Sequence, residues 1–151
     1  MRLLTLDLER YGPFTGRTLT FRPDAKLHVV YGPNEAGKSC SLAAITDLFF
    51  GIERQTGYDF LHEGKEMRIG ATITARDGHL LAFRRRKGNK NTLIDAADRP
   101  LNEDALLPFL GNLSREVFCR AFGLNTLALR QGAEEMLKSE GDVGSRSLSE
   151  I

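Results

Sequence analysis

Nine consecutive residues, Tyr31-Gly32-Pro33-Asn34-Glu35-Ala36-Gly37-Lys38-Ser39, contain the spacing G-x-x-x-x-G-K-[ST] without a gap or substitution. Residues of these types at this spacing make a phosphate cradle. Gly32 allows a sharp turn out of a strand, and Gly37, lacking a Cβ, lets the backbone close on an oxyanion. The N–H groups from Asn34 to Ser39 then offer hydrogens to phosphate oxygens at the positive end of the helix that begins there. Pro33 has no N–H, so it shapes the loop without donating. Lys38 would bridge the β- and γ-phosphates and offset their charge, while the Ser39 hydroxyl would ligate Mg²⁺. The candidate nucleotide-binding set is Gly32, Pro33, Asn34, Glu35, Ala36, Gly37, Lys38, Ser39 and Cys40, with Lys38 also a candidate catalytic residue. Four fixed positions recur by chance about once in a few hundred chains of this length at ordinary residue frequencies. The neighbouring elements therefore matter.

Such a loop needs a buried strand before it and a helix after it. The run Lys26-Leu27-His28-Val29-Val30-Tyr31 is short, apolar and β-branched, as a fully covered parallel strand should be. Beyond Ser39, Leu42, Ala43, Ile45, Leu48 and Phe49 recur at helical spacing, and Gly51 supplies a stop. Upstream, residues 2–9 alternate, with Leu4, Leu6 and Leu8 on one face and Thr5, Asp7 and Glu9 on the other. A turn-rich stretch, residues 10–16, leads to a second strand over residues 17–21, with Leu19 and Phe21 inward, and the two are expected to pair as a hairpin.

Downstream, residues 53–66 read as an exposed loop, at the end of the sheet where loops border a ligand; His62 within it reads as solvent-facing. Met67, Ile69, Ala71, Ile73 and Ala75 alternate with more polar neighbours, Asp77-Gly78 signals a two-residue hairpin turn, and residues 80–86 return. Arg84-Arg85-Arg86-Lys87-Gly88-Asn89-Lys90 then places five cations in seven residues, before a short strand at Thr92-Leu93-Ile94. Two readings of Arg84, Arg85, Arg86, Lys87 and Lys90 stay open. They contact a DNA phosphate backbone, or they form a solvated hairpin tip; the absence of interleaved aromatic side chains favours the tip. Asn102 suits the cap of a helix reaching Leu110, with Glu103 and Asp104 in its first turn, and Gly111 closes it. Ser114 suits the cap of a further helix over residues 115–122, and a last helix is expected over residues 133–138.

A chain of 151 residues, 41% hydrophobic and 27% charged, suits one globular domain with a sizeable core. A net charge of +1 gives no global pull toward nucleic acid or membrane, so such a partner must be met by a local patch. The amino terminus is charged within seven residues and resembles neither a signal peptide nor a membrane span, which points to a cytoplasmic protein. Cys40 and Cys119 lie in expected helices without C-x-x-C spacing and read as reduced structural thiols.

The loop alone does not separate GTPase, kinase and ATPase. The one Asn-Lys pair, Asn89-Lys90, is followed by Asn91-Thr92 and not by x-Asp, and no aspartate has glycine three residues on, which removes the guanine-recognition and switch motifs. An antiparallel strand block this early is not expected of a doubly wound kinase.

With Tyr11-Gly12-Pro13-Phe14, Leu19-Thr20-Phe21, the loop itself and Leu48-Phe49-Phe50-Gly51, residues 8–51 resemble the amino-terminal ATPase lobe of the SMC, RecF and SbcC type of DNA-repair and chromosome-maintenance ATPases. The wording of the loop, with Phe83-Arg84-Arg85-Arg86-Lys87-Gly88 and Phe122-Gly123-Leu124, is most similar to the YhaN-like branch of these P-loop ATPases of the AAA and ABC class. The resemblance implies an α/β P-loop NTPase lobe of ABC-ATPase type, with a mixed sheet, an antiparallel strand block and flanking helices. This lobe would cover residues 1–140, with 141–151 a polar tail. It implies ATP and Mg²⁺ as cofactors, the chain's own C-terminal lobe as partner, an ATP-dependent head-to-head homodimer, DNA for the full-length protein, a nuclease partner and no membrane. Gln131, followed by Gly132, lies where such proteins carry a glutamine that reaches the metal and the attacking water, so the resemblance gives Gln131 a metal-binding and catalytic role. Asn34 matches the family's loop asparagine near the γ-phosphate, and Cys40 departs from its usual threonine. A Ser-Gly-Gly signature, an apolar run ending in Asp-Glu and a switch histidine are not found. The expectation is an amino-terminal lobe that binds nucleotide and needs its complement for hydrolysis. A small-molecule phosphotransferase and a non-catalytic nucleotide-dependent scaffold are the alternatives.

Overall fold

The computed structural model describes residues 1–123, 129, 130, 132–134 and 137. Contacts divide the chain into two units, Met1–Arg115 and Glu116–Ile151.

In the first unit, the alternating amino-terminal residues form β1 (Arg2–Tyr11), which turns at Gly12 and returns as β2 (Phe14–Thr20). Leu6 pairs with Leu19 and Asp7 with Thr18, an antiparallel register that keeps the leucines on one face. β3 (Arg68–Thr74) pairs antiparallel with the other edge of β1, followed by β4 (Leu80–Arg86) and the two-residue β5 (Leu93–Ile94), in the order β2-β1-β3-β4-β5. The β3–β4 connection closes between Ala75 and His79, leaving three residues with Gly78 in the left-handed region (φ 86°), one more than the two-residue turn read from Asp77-Gly78.

Helix α1 (Lys38–Phe50) lies against the leucine face. Leu6, Leu8, Ile69, Ala71, Ile73 and Phe83 from the sheet are buried together with Ala44, Leu48 and Phe49 of the helix. The rings of Phe49 and Phe83 stand 6.4 Å apart. Burial on α1 favours Cys40, Ala44 and residues 46–49, while Leu42, Ala43 and Ile45 are only half-buried. Gly51 ends the helix at φ 91°, its N–H bonded to the Asp47 carbonyl. The opposite sheet face is polar: Thr18 donates to Asp7 at 2.7 Å, and Arg84 pairs with Glu9 at 2.7 Å.

The expected helix over residues 102–110 is split into a 3₁₀ turn, Glu103–Leu106, and α2 (Leu107–Leu110), with Pro108 in its first turn; Asn102 caps the turn by accepting from the Asp104 N–H at 3.0 Å. Helix α3 (Arg115–Phe122) starts at the last residue of the first unit. In the second unit Phe118 is buried with its ring against Phe122. Most of the helix expected over residues 133–138, and the tail 141–151, lie outside the described residues.

Two expectations of the sheet are corrected. All its pairings among the described residues are antiparallel, so the mixed sheet is not formed there. Residues 26–31 are not a strand in it. They run unpaired into the phosphate loop with Leu27 78%, Val29 73%, Val30 51% and Tyr31 91% exposed. A strand is stable only when its N–H and C=O groups have neighbours, and no described segment supplies one. Among the described residues, no helix is long and apolar enough to cross a membrane.

Candidate functional site

The phosphate loop joins residues 26–31 to α1, and its geometry follows from two left-handed residues, Glu35 (φ 67°) and Gly37 (φ 86°, ψ 14°). Gly37 is held to glycine twice over. Its φ is costly for a side chain, and a Cβ there would stand 2.3 Å from Phe14 Cζ. One turn into α1, Gly12 meets Cys40 in the same way: a Cβ on Gly12 would lie 2.2 Å from the Cys40 Sγ. The turn between β1 and β2 is therefore packed onto the first turn of α1, and the Tyr-Gly-Pro-Phe stretch and the loop form one structure.

The loop's donors are largely unspent. Ala36 N–H reaches the Pro33 carbonyl at 3.3 Å and Ser41 N–H the Gly37 carbonyl at 2.9 Å. Among the described residues, the N–H groups of Asn34, Glu35, Gly37, Lys38 and Ser39 meet no protein acceptor. Lys38 folds back over its own loop, its Nζ donating to the carbonyls of Gly32 and Pro33, each at 2.7 Å. It is exposed and in no ion pair among the described residues. The Ser39 hydroxyl is likewise exposed and bonded to no described protein group. These groups fit a polyphosphate with Mg²⁺: a row of amides, an ammonium held only by neutral carbonyls, and a hydroxyl at the helix start. No cluster of three His, Cys, Asp or Glu among the described residues could hold a metal by itself. A Mg²⁺ that takes one hydroxyl, phosphate oxygens and water needs no such cluster.

Residues 53–66, read as an exposed loop that either borders the ligand or is a plain surface connection, brace this assembly. Tyr58 stacks on Tyr11 with ring centroids 5.1 Å apart, and its carbonyl accepts the Gly12 N–H at 2.9 Å. His62 Nε2 lies 2.8 Å from the Phe14 carbonyl oxygen and 3.3 Å from Thr15 Oγ1, so it is half-buried and not solvent-facing. Buried Tyr11 donates to Asp47 at 2.7 Å, and Asp47 also accepts from Arg115 at 2.6 Å. Burial and the hydrogen bond to Asp47 push the Tyr11 phenol well above its ordinary value. Burial, with a smaller contribution from Asp47, pushes the Cys40 thiol up to about 11, which keeps it protonated and unreactive at neutral pH. Both cysteines are free, as expected.

The basic cluster is dispersed. Arg85 is 1% exposed, on the inward face of β4 with Phe83. All five of its N–H donors are engaged: the Leu48 and Phe49 carbonyls at 3.0 and 3.1 Å, Thr92 Oγ1 at 3.0 Å, and both oxygens of Glu103. It therefore closes the end of α1 and cannot face a nucleic acid. Arg84 is paired with Glu9 across the outer sheet face, and Arg86 Nε donates to the Asn91 carbonyl at 3.1 Å. Lys87 pairs with Asp59 at 3.1 Å, and Lys90 is exposed. Of the five candidate DNA contacts, Lys90 alone is exposed. Gln131 lies outside the described residues.

Over 59 residues the chain is 34% identical to a protein described as uncharacterized, YhaN of Bacillus subtilis (strain 168), a stretch covering 39% of this chain and 6% of that protein. The chain thus aligns with only a small part of that curated relative. Residues 1–149 match the AAA domain, a nucleotide-binding ATPase type. With the match running over nearly its whole length, the chain belongs to the AAA domain family.

Proposed function

We propose that this chain is the amino-terminal lobe of an ATP-binding head, in which the loop from Gly32 to Ser39, with Cys40 behind it, holds the triphosphate and Ser39 takes a Mg²⁺. The observation that carries this is the pairing of unspent loop amides with a Lys38 ammonium resting on two neutral carbonyls. A charged phosphate oxygen adds to the hydrogen bond a Coulombic attraction that a neutral carbonyl lacks, so nucleotide draws the ammonium off the loop. The test is titration of the chain with ATP and Mg²⁺ by calorimetry. Lys38→Ala is expected to weaken binding by about a hundredfold, the loss of two charge-assisted contacts. Equal affinity in both proteins would refute the site.

The lobe reading rests on residues 26–31, an apolar segment with neither edge paired. A complementary lobe supplying parallel strands would bury Leu27, Val29 and Val30 and satisfy their backbone. It would also bring the second metal carboxylate and the general base that hydrolysis needs, with Gln131 reaching the metal by resemblance. Amide exchange tests this: residues 27–31 should exchange within seconds in this chain and be protected in a longer protein containing the complement. ATP-driven head-to-head pairing, DNA as the target and a nuclease partner belong to the same reading through the resemblance to SMC, RecF and SbcC ATPases. Their test is nucleotide-dependent dimerisation and DNA binding of the full-length protein, abolished by Lys38→Ala.

A further inference from the structure

At the end of the sheet, three segments border an open pocket of about 300 Å³ lined by Ile52, Arg54, Gly64, Lys65, Lys87, Gly88 and Asn89. None of these is a phosphate-loop residue. The floor is buried Ile52, just beyond α1; one wall is the 3₁₀ turn Gly64–Glu66, and the other is the connection from β4 to β5. Three cationic side chains and one amide line it, and no carboxylate does. Lys87 is the best fixed. Its side chain is only 16% exposed, its ammonium is held from the side by Asp59, and its stem crosses Gly64 so closely that a Cβ there would stand 3.2 Å from both Cδ and Nζ. Gly64 thus makes room for that ammonium. Lys65 is held by Glu63 at 2.8 Å in an exposed pair, which an incoming anion can outcompete. Arg54 is exposed and pairs with no carboxylate among the described residues.

We propose that this pocket is a second anion site, built for a phosphate group. A tetrahedral anion with three or four oxygens can meet the Arg54 fork, the two ammonium groups and the Asn89 amide from separate walls at once, whereas a carboxylate has two oxygens. The apolar floor strengthens those contacts by lowering the local dielectric. The opening to solvent leaves room for ester substituents, so the phosphate group is either a free phosphoanion or one unit of a nucleic-acid backbone, with exposed Lys90 beside the rim in the second case. The site does not depend on nucleotide binding at the phosphate loop.

The experiment uses the intact chain carrying Lys38→Ala, which weakens the phosphate loop as a competing site. Inorganic phosphate, and separately a single-stranded oligonucleotide without terminal phosphates, are titrated while backbone amide resonances are followed. Gly64, Gly88 and Asn89 should shift with at least one probe. Shifts with inorganic phosphate alone identify a free phosphoanion; shifts with the oligonucleotide that weaken as salt rises identify the backbone. Arg54→Ala combined with Lys65→Ala, both on the surface, should weaken the response about tenfold or more. Gly64→Ala, which pushes the Lys87 ammonium aside by a few tenths of an ångström while retaining every charge, should weaken it as well, though less. The proposal is overturned if neither probe moves these amides, or if both variants respond as the parent does. Either result leaves ATP binding at Lys38, measured in the unmutated chain, as a separate question.

Discussion

Tyr11 donates its phenolic hydrogen to Asp47 Oδ2 at 2.7 Å, so the end of β1 is fastened to the third turn of α1 by one buried bond. The phenol holds its proton far more tightly in the fold than an ordinary tyrosine, from burial first and the bond to Asp47 second. Burial raises Tyr58 too, and it lifts the Cys40 thiol to about 11. In each case the unfolded chain releases a proton that the folded chain retains. The stabilisation is therefore complete below the unfolded values, about 8.5 for cysteine and about 10 for tyrosine, and is lost as pH rises past them. Urea unfolding between pH 7 and 11 should show stability falling from about pH 8.5 and more steeply above about 10. Tyr11→Phe should cost about 1–3 kcal/mol at pH 7 by removing a donor from buried Asp47, and it should flatten the steep part except for the share due to Tyr58. The shallower part, due to Cys40, should persist.

Arg115 shares that carboxylate. Its Nη2 lies 2.6 Å from Asp47 Oδ1 and also donates to the Gly51 carbonyl, while Nη1 meets Glu53 at 3.0 Å. Of the two acids, only Asp47 is buried, so that contact dominates. Arg115→Met should destabilise the chain by about 2 kcal/mol, since it leaves a buried carboxylate short of a charged donor. Combined with Tyr11→Phe, the loss should differ from the sum of the single losses by about 0.5 kcal/mol or more, because both groups serve one acid. A denaturation cycle over the four proteins checks this, and strict additivity would show that the two contacts are independent.

Arg85 gives the largest expected effect. Arg85→Ala strands the Leu48 and Phe49 carbonyls and removes a buried cation from its partners, a change worth about 3–5 kcal/mol. Arg85→Lys should recover little, because one ammonium cannot reach five acceptors set out for a planar fork. Thermal unfolding of the three proteins measures it; a melting temperature for Arg85→Ala near that of the parent would mean that Glu103 and the carbonyls find other partners.

That arginine marks where the sequence was readable and where it was misread. Period-two alternation located both hairpins, Gly51 located the end of α1, and Asn102 located the start of the 3₁₀ turn Glu103–Leu106, because each signal is local. The same alternation carried the inward phase of Leu81 and Phe83 on to Arg85, yet five cations in seven residues read as surface. The carbonyls that make burial tolerable lie 36 and 37 residues upstream, at the end of α1, and the carboxylate of Glu103 lies 18 residues downstream, so only the fold brings them together. His62 and Tyr58 were missed for a similar reason, since a glycine-rich charged loop carries no pattern announcing that it will brace a hairpin turn. Residues 26–31 show the converse. Their composition is that of a covered strand, but pairing depends on neighbours that the described chain does not contain.

Gly37 joins fold and chemistry at one position, and two substitutions separate its constraints. Gly37→Ala must place a methyl group where Phe14 Cζ lies 2.3 Å away and also hold φ near 86°. Either the ring or the loop moves. The conformational penalty alone is about 1–2 kcal/mol, and the collision adds to it. Phe14→Ala removes the ring and should cost stability of its own, without altering the backbone angle. If the collision dominates, Phe14→Ala with Gly37→Ala should regain part of the ATP affinity that Gly37→Ala loses. If the left-handed backbone dominates, the double variant should bind as poorly as Gly37→Ala. Calorimetric titration with ATP and Mg²⁺ distinguishes the two, with unfolding curves run in parallel to correct for stability. A Gly37→Ala chain that binds ATP like the parent would show that this left-handed turn, and with it the packing of the hairpin on the loop, is not what shapes the phosphate cradle.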